Sequence, residues 1–347
     1  MIGSLACDGA AQLAPWWAAA AALAGSLAGT GAVLAAARRW QVLDRPNERS
    51  AHRSPTPTLG GIGVLVGLWA GLAALAALGR PPGELAALAA SSVALALLVS
   101  DDLGRPLRVG QKLAIQSGAA ALWLALGPRL EWVTLPGLEP VALGVWSWPL
   151  TALWLVGLMN VYNFMDGIDG LTATQTVATG AGLALCLSRV GSPAAPVAGV
   201  TAAAAAGFAW YNRPPARIFM GDVGAHLLGL VLGALAILGQ RDGLPFWMGS
   251  ALLLYYLFDA TYTLTRRGLR GENLLRAHSQ HLYQRLVRQG WTHGRVDLLV
   301  LWLDGLLLAG VYATLASHWA GPGLLALAAA ILVGGTWRIE QGGAIRG

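Results

Sequence analysis

WSWPLTALWLVGLMNVYNFMDGIDG, residues 146–170, runs from a long apolar segment into a cluster of amides and acids. A bilayer-spanning helix needs roughly 20 mainly apolar residues, and the first part of this stretch supplies them. Asn160, Asn163, Asp166 and Asp169 then recur every third position, with Gly167 and Gly170 between and after the acids. Such spacing drifts by about 60° per step around a straight α-helix, so the four share no face unless the helix ends. The glycines predict an end near Asp166. The asparagines then occupy the last turns of a span and the aspartates the loop beyond. A polar cap and turn would explain fewer such groups than are present.

The same alternation fills the chain. It is 56% hydrophobic and 12% charged, with a mean hydropathy of +0.57. Soluble domains carry about 25% charged residues. The expected fold is an all-α, polytopic transmembrane helix bundle forming one domain over 1–347, with about eleven spans (ten to eleven). They fall near 15–37, 60–79, 84–100, 111–127, 146–164, 171–189, 195–211, 224–240, 245–264, 296–316 and 321–337. Segment 128–145, with its prolines and Trp132, predicts a short hairpin or interfacial turn. Abundant Gly and Ala suit close helix packing in lipid.

Basic residues give an orientation. With the N-terminus outside, nineteen of the 23 Lys and Arg fall on the inner side, leaving Arg80, Arg129, Arg189 and Arg241 outside. That asymmetry is the positive-inside pattern, and it predicts a periplasmic N-terminus and a cytoplasmic C-terminus. The net charge of +6 then reflects topology and argues against nucleic-acid binding. The first apolar run lacks a basic region before it, which predicts a retained span. Cys7 and Cys186 suggest neither a disulfide framework nor a zinc site.

This topology brings the loops 38–59, 101–112, 160–170, 212–223 and 265–295 to one face. They hold the groups suited to phosphate chemistry. Asp101 and Asp102 end one apolar run, and Lys112 heads the next, within reach of a phosphate. Adjacent carboxylates leaving a span are costly unless a cation or water meets them. Asp222, between Gly221 and Gly224, lies near a helix N-terminus, which favours anions; alone it would read as an N-cap. Asn212, Arg213 and Arg217 precede it. His278 and His281, beside Arg276 and Arg285, leave metal ligation, phosphate binding and plain exposure open. The loop from Asp44 to Gly61, with Arg53, offers basic and amide donors. Asp259 and Asp304 are acids inside apolar runs; Asp259 is placed to pair with Arg266, and Asp304 reads as structural.

The ordered segments DRPNERSAHRSPTPTLGG (44–61), SDDLG with a following QKL, NVYNFMDGIDGL, NRPPARIFMGDVG and AHSQHLYQRL resemble the polyprenyl-phosphate N-acetylhexosamine-1-phosphate transferases. The likeness runs from about residue 44 to 290. It implies transfer of a sugar-1-phosphate from a UDP-N-acetylhexosamine to undecaprenyl or another polyprenyl phosphate, with release of UMP. It also implies Mg²⁺, with Mn²⁺ as an alternative, held by Asp222, Asp101 and Asp102. By the same resemblance Asp101, Asp102, Asp222, His278 and His281 form the catalytic set. The resemblance puts Arg53, Lys112, Asn163, Asp166, Asp169 and Asn212 in contact with substrate, and Asn160, Arg217 and Arg285, from the same segments, are expected to bind it too. A bacterial inner-membrane enzyme is expected, with a homodimer left open.

The phospho-muramoyl-pentapeptide branch of that family usually shows consecutive histidines. Here His278 and His281 are separated by Ser279 and Gln280. That looks more like the branch that starts O-antigen and other surface polysaccharides, although the Ser–Gln pair departs from its pattern too. A transporter would place its acids near the bilayer midplane in repeated, broken helices, and no repeat is visible. A non-catalytic scaffold would tolerate loss of Asp101, Asp102 and Asp222 together.

Overall fold

Each apolar run of the sequence becomes helix. The computed structural model describes residues 2–46, 54–276, 278–316 and 321–344. Helices α1 (Ile2–Trp40), α2 (Gly60–Ala77), α3 (Leu85–Leu95), α4 (Val99–Asp102), α5 (Val109–Leu126), α6 (Ser147–Met165) and α7 (Leu171–Arg189) form the first half. The second half holds α8 (Ala195–Asn212), α9 (Gly221–Arg241), α10 (Phe246–Ala251), α11 (Leu254–Leu269), α12 (Leu282–Arg288), α13 (His293–Ala316) and α14 (Gly321–Ala344). Among the described residues the strands are two minimal antiparallel pairs, β1 (Leu43–Asp44) with β2 (Thr56–Pro57) and β3 (Trp132–Val133) with β4 (Val141–Ala142). The second pair is the hairpin expected within 128–145.

Six of these helical stretches are long and apolar enough to cross a membrane: 13–40, 60–77, 85–102, 221–241, 293–316 and 321–341. That is the pattern of a polytopic helical membrane protein. Of the others, α10, α11 and α12 are shorter than a span, and α7 is long enough but turns polar groups inward. In α7 the side chains of Thr172, Gln175, Thr176 and Thr179 are all buried.

Two expected spans are not single helices. The run 84–100 passes from α3 through a 3-10 turn, Ala96–Leu98, into α4, so Asp101 and Asp102 close a continuous helical stretch of mixed type. The run 245–264 breaks between α10 and α11 at Leu252–Leu253, with no Gly or Pro at the break. Side chains supply the reason: Thr179 Oγ1 and Gln175 Nε2 donate to the freed Leu252 carbonyl at 3.0 and 3.4 Å. An exposed carbonyl in an apolar interior needs such partners.

Helix α9 is the axis of the bundle, buried from Val223 to Gln240 and packed on α2 and α6. Backbone touches backbone where α2 crosses it. A Cβ on Gly61 would lie 2.4 Å from the Gly224 Cα, so no larger residue fits there without moving a helix. The segment before α2 is stitched to the loop entering α9. Phe219 N donates to Pro57 O at 2.8 Å, Gly60 N to Phe219 O at 2.9 Å, and Gly61 N to Met220 O at 2.7 Å.

Candidate active site

At one end of the bundle a cavity of about 760 Å³ gathers Asp44, Asp101, Asp102, Asn163, Asp166, Asp169, Asn212, Asp222, His278 and His293, among others. Groups separated by most of the chain length therefore face one volume.

The helix ends decide where each acid points. Asp102 closes α4, and its carboxylate accepts from the backbone N–H of Asp222 at 2.8 Å and of Val223 at 3.4 Å. It thus caps the N-terminus of α9, where amide protons are left without helical partners. Gly221 makes this approach feasible. Its φ is +78°, and a Cβ there would sit 2.7 Å from the Asp102 carboxylate. Asp101 accepts from Leu107 N at 2.6 Å and from Lys112 Nζ at 2.8 Å. The same ammonium donates to Asp222 Oδ2 at 2.6 Å, while Asn163 Nδ2 donates to Asp222 Oδ1 at 2.9 Å.

A second tier lies beneath. The His226 Nδ1–H donates to Asp222 O at 2.6 Å, which leaves Nε2 to accept from Gln116 Nε2 at 2.8 Å. Asn160 Nδ2 donates to Gln116 Oε1 at 2.7 Å and to Val156 O at 2.8 Å. Asn160 does not line the cavity; it braces α5 against α6, one turn from Lys112. His226 and Gln116 escaped the sequence reading because both sit inside apolar helices.

Asp166 terminates α6, as Gly167 predicted. Burial pushes its carboxyl up to about 7; the Thr172 hydroxyl opposes this, and the nearby Asp222 charge adds to it. Asp169 Oδ2 accepts from Ala216 N at 3.0 Å and lies 3.3 Å from His293 Nδ1. Asn212 is a loop staple, accepting from Gly170 N and donating to Ile218 O, both at 2.9 Å.

The histidines divide. His278 lines the cavity, and burial holds its pKa down near 4, helped by His281 and Arg267. His281 is only 2% exposed and is not among the residues lining the cavity. Its Nδ1 lies 3.0 Å from Asp259 Oδ1, and Asp259 also accepts from Leu282 N at 2.9 Å and Tyr283 N at 3.2 Å. This corrects the expected Asp259–Arg266 pairing. Arg266 instead meets Glu340 at 3.0 Å, because the chain turns back after α11 and brings α12 over Asp259. Asp304 is buried and takes Gln175 Nε2 at 3.2 Å.

Two expected substrate-contacting arginines lie outside the cavity lining. Arg217 is exposed, stacks 4.7 Å from the Tyr211 ring and donates to Trp210 O. Arg285 bonds Glu340 and Ile339 O. Arg53 falls outside the described residues. His293, which lines the cavity, was missed: it stands alone at the start of α13, with no motif around it.

The cavity's charge is the chemical clue. Its described lining includes six aspartates and no Lys or Arg, and Lys112 is already shared by two of those carboxylates. An anionic substrate needs an added cation here. Among the described residues no three His, Cys, Asp or Glu side chains form a ready metal cage. Asp101 and Asp222, drawn to one ammonium, fit a Mg²⁺ ion that takes one or two carboxylates and completes its shell with phosphates and water.

Residues 85–240 match the family described as Glycosyl transferase family 4. The chain is 31% identical over 274 residues to a probable undecaprenyl-phosphate N-acetylglucosaminyl 1-phosphate transferase of Bacillus subtilis, covering 77% of this chain and 75% of that one. It is 31% identical over 322 residues to a decaprenyl-phosphate N-acetylglucosaminephosphotransferase of Mycolicibacterium smegmatis (82% and 78%). A phospho-N-acetylmuramoyl-pentapeptide-transferase of Synechococcus is 34% identical over 328 residues (86% and 90%).

Proposed function

The chain belongs to glycosyl transferase family 4, among the polyprenyl-phosphate hexosamine-1-phosphate transferases, and from that premise we propose that it transfers an N-acetylhexosamine-1-phosphate from a UDP-sugar to a polyprenyl phosphate, releasing UMP. The observation that carries this reading is the acid cavity at one end of an apolar bundle, with Lys112 bridging Asp101 and Asp222. A lipid phosphate enters from the bilayer and a soluble nucleotide from the water, so their reaction belongs at such an end.

Asp222, Asp101 and Asp102 would hold Mg²⁺, which would supply positive charge against the diphosphate and the leaving UMP. Lys112 steadies two of these carboxylates and places an ammonium beside the entering phosphate. Asp102 fixes the first turn of α9 and so the reach of Asp222. Asn163 holds the other Asp222 oxygen. The acceptor phosphate is itself a nucleophile near neutral pH, so the residues position the attacking and leaving oxygens in line and no strong base is required. Asp166, Asp169 and Asn212 shape the nucleotide side.

In this reading the cavity faces the cytoplasm of a bacterial inner membrane, with the N-terminus periplasmic and about eleven spans, on the strength of the basic-residue asymmetry. Reporter fusions at the two termini check that sidedness. The product would start a lipid-linked surface polysaccharide, as the separated His278 and His281 favour. A phospho-muramoyl-pentapeptide donor is the second reading, favoured by the 34% identity to the Synechococcus enzyme. Purified protein in detergent with Mg²⁺, undecaprenyl phosphate and, in turn, UDP-GlcNAc, UDP-GalNAc and UDP-MurNAc-pentapeptide distinguishes them by mass of the lipid product. No lipid product from any donor overturns the function.

A further inference from the structure

A cavity built for a nucleoside diphosphate ought to meet its phosphates with basic groups, yet the described lining offers only His278 and His293. His278 spends its Nδ1 on the Gln280 N–H at 3.3 Å and stays neutral near pH 7. His293 is placed differently. It is the first residue of α13, and its side chain is 16% exposed, so the ring is largely fixed while still reaching the cavity.

Its Nδ1 accepts the Asp169 N–H at 3.3 Å and lies 3.3 Å from Asp169 Oδ2. The hydrogen bond that Nδ1 accepts from the Asp169 amide sets the other nitrogen. In the neutral ring the Nδ1 lone pair meets the amide, so the proton sits on Nε2. In the charged ring Nδ1–H faces the carboxylate, and Nε2 keeps its proton. Either way Nε2 is a donor, and no described residue takes that hydrogen bond. The position at a helix N-terminus also favours an anion.

We propose that His293 is a donor-binding residue whose Nε2–H grips a phosphate oxygen of the nucleoside diphosphate. Asp169 then acts as a positioning residue, aiming the ring through its backbone N–H and carboxylate. The inference rests on the UDP-sugar reading above.

The test is calorimetric titration of UDP and of uridine into the full chain in detergent with Mg²⁺, for the wild type, His293→Ala and His293→Gln. His293→Ala is expected to weaken UDP about 10-fold or more and leave uridine unchanged. His293→Gln, which retains a donor at a similar reach, is expected to recover most of the loss. In turnover, the donor KM rises while the acceptor KM stays put. If thermal melting shows that Ala loosens the fold, His293→Phe removes the donor while keeping the ring. Unchanged UDP binding in the folded variants overturns the proposal, as does equal loss of UDP and uridine, which would point to the base. A wild type that turns over normally beside such variants leaves the transferase reading standing. A wild type that neither binds UDP nor makes a lipid product overturns both.

Discussion

Lys112 and Asp222 lie 110 positions apart in sequence, and their charged atoms meet at 2.6 Å. The pair joins the head of α5 to the first turn of α9. Asp101 meets the same ammonium at 2.8 Å. Replacing Lys112 with Met leaves two carboxylates facing each other. We expect kcat to fall about 100-fold, the scale for losing one preorganised charged donor. Steady-state assays across a Mg²⁺ series check this, and excess Mg²⁺ should restore only part of the loss. Activity within threefold of wild type at all Mg²⁺ concentrations rules out a working role for Lys112.

Gly221→Ala tests how tightly α4 closes on α9. The added Cβ meets the Asp102 carboxylate at 2.7 Å on a backbone with φ of +78°. A strained left-handed residue costs on the order of 1–3 kcal/mol. The variant should melt several degrees lower in detergent and lose activity together with the cap. Adding Asp102→Ala should relieve the clash but not the backbone strain, so the double variant recovers melting temperature only in part.

Asp166 gives a pH dependence with a definite sign. Its carboxyl is pushed from the ordinary 3.8 up to about 7. The folded state thus keeps a proton that the unfolded chain has already lost, and stability falls as pH rises from about 4 to about 7. Asn carries no such charge. Asp166→Asn should therefore melt above the wild type at pH 8 and with it below about pH 4, while losing activity. Melting curves across that range decide it; a constant offset contradicts the burial of this acid.

The Asp259–His281 contact should behave as a fold clamp. His281→Ala leaves a fully buried Asp259 short of a partner, a loss of about 1–3 kcal/mol. Asp259→Asn removes the charge while keeping an acceptor for the two α12 amides. A double-mutant cycle on melting should show strong coupling, and each single variant should lower kcat through the misplaced 265–295 loop. Additive effects place the histidine's role elsewhere.

Much of this was legible in the chain because apolar runs and their polar ends are local signals. Gly167 marked the end of α6, and Gly221 with Asp222 marked the start of α9. The prolines and Trp132 marked the hairpin. The remainder depends on pairings that no local pattern records. Asp259 sits near Arg266 in sequence, but His281, 22 residues on, reaches it in space. The break at Leu252–Leu253 is stabilised by Gln175 and Thr179 from a different helix, so nothing beside it marks it. His226 and Gln116 look like stray polar residues until α5 and α9 are set side by side. Arg217 and Arg285 carried the right charge, but neighbouring aromatic and acidic partners hold them elsewhere.

The cap that Asp102 places on α9 also has a bearing on biosynthesis. Asp102 emerges from the ribosome some 120 residues before the amide it must accept. Until Gly221 and the helix after it are inserted, Asp101, Asp102 and Lys112 are a charged half-site with no counterpart. A nascent chain that stalls before α9 therefore carries Asp102 without the two amides it caps and Lys112 without one of its two carboxylate partners.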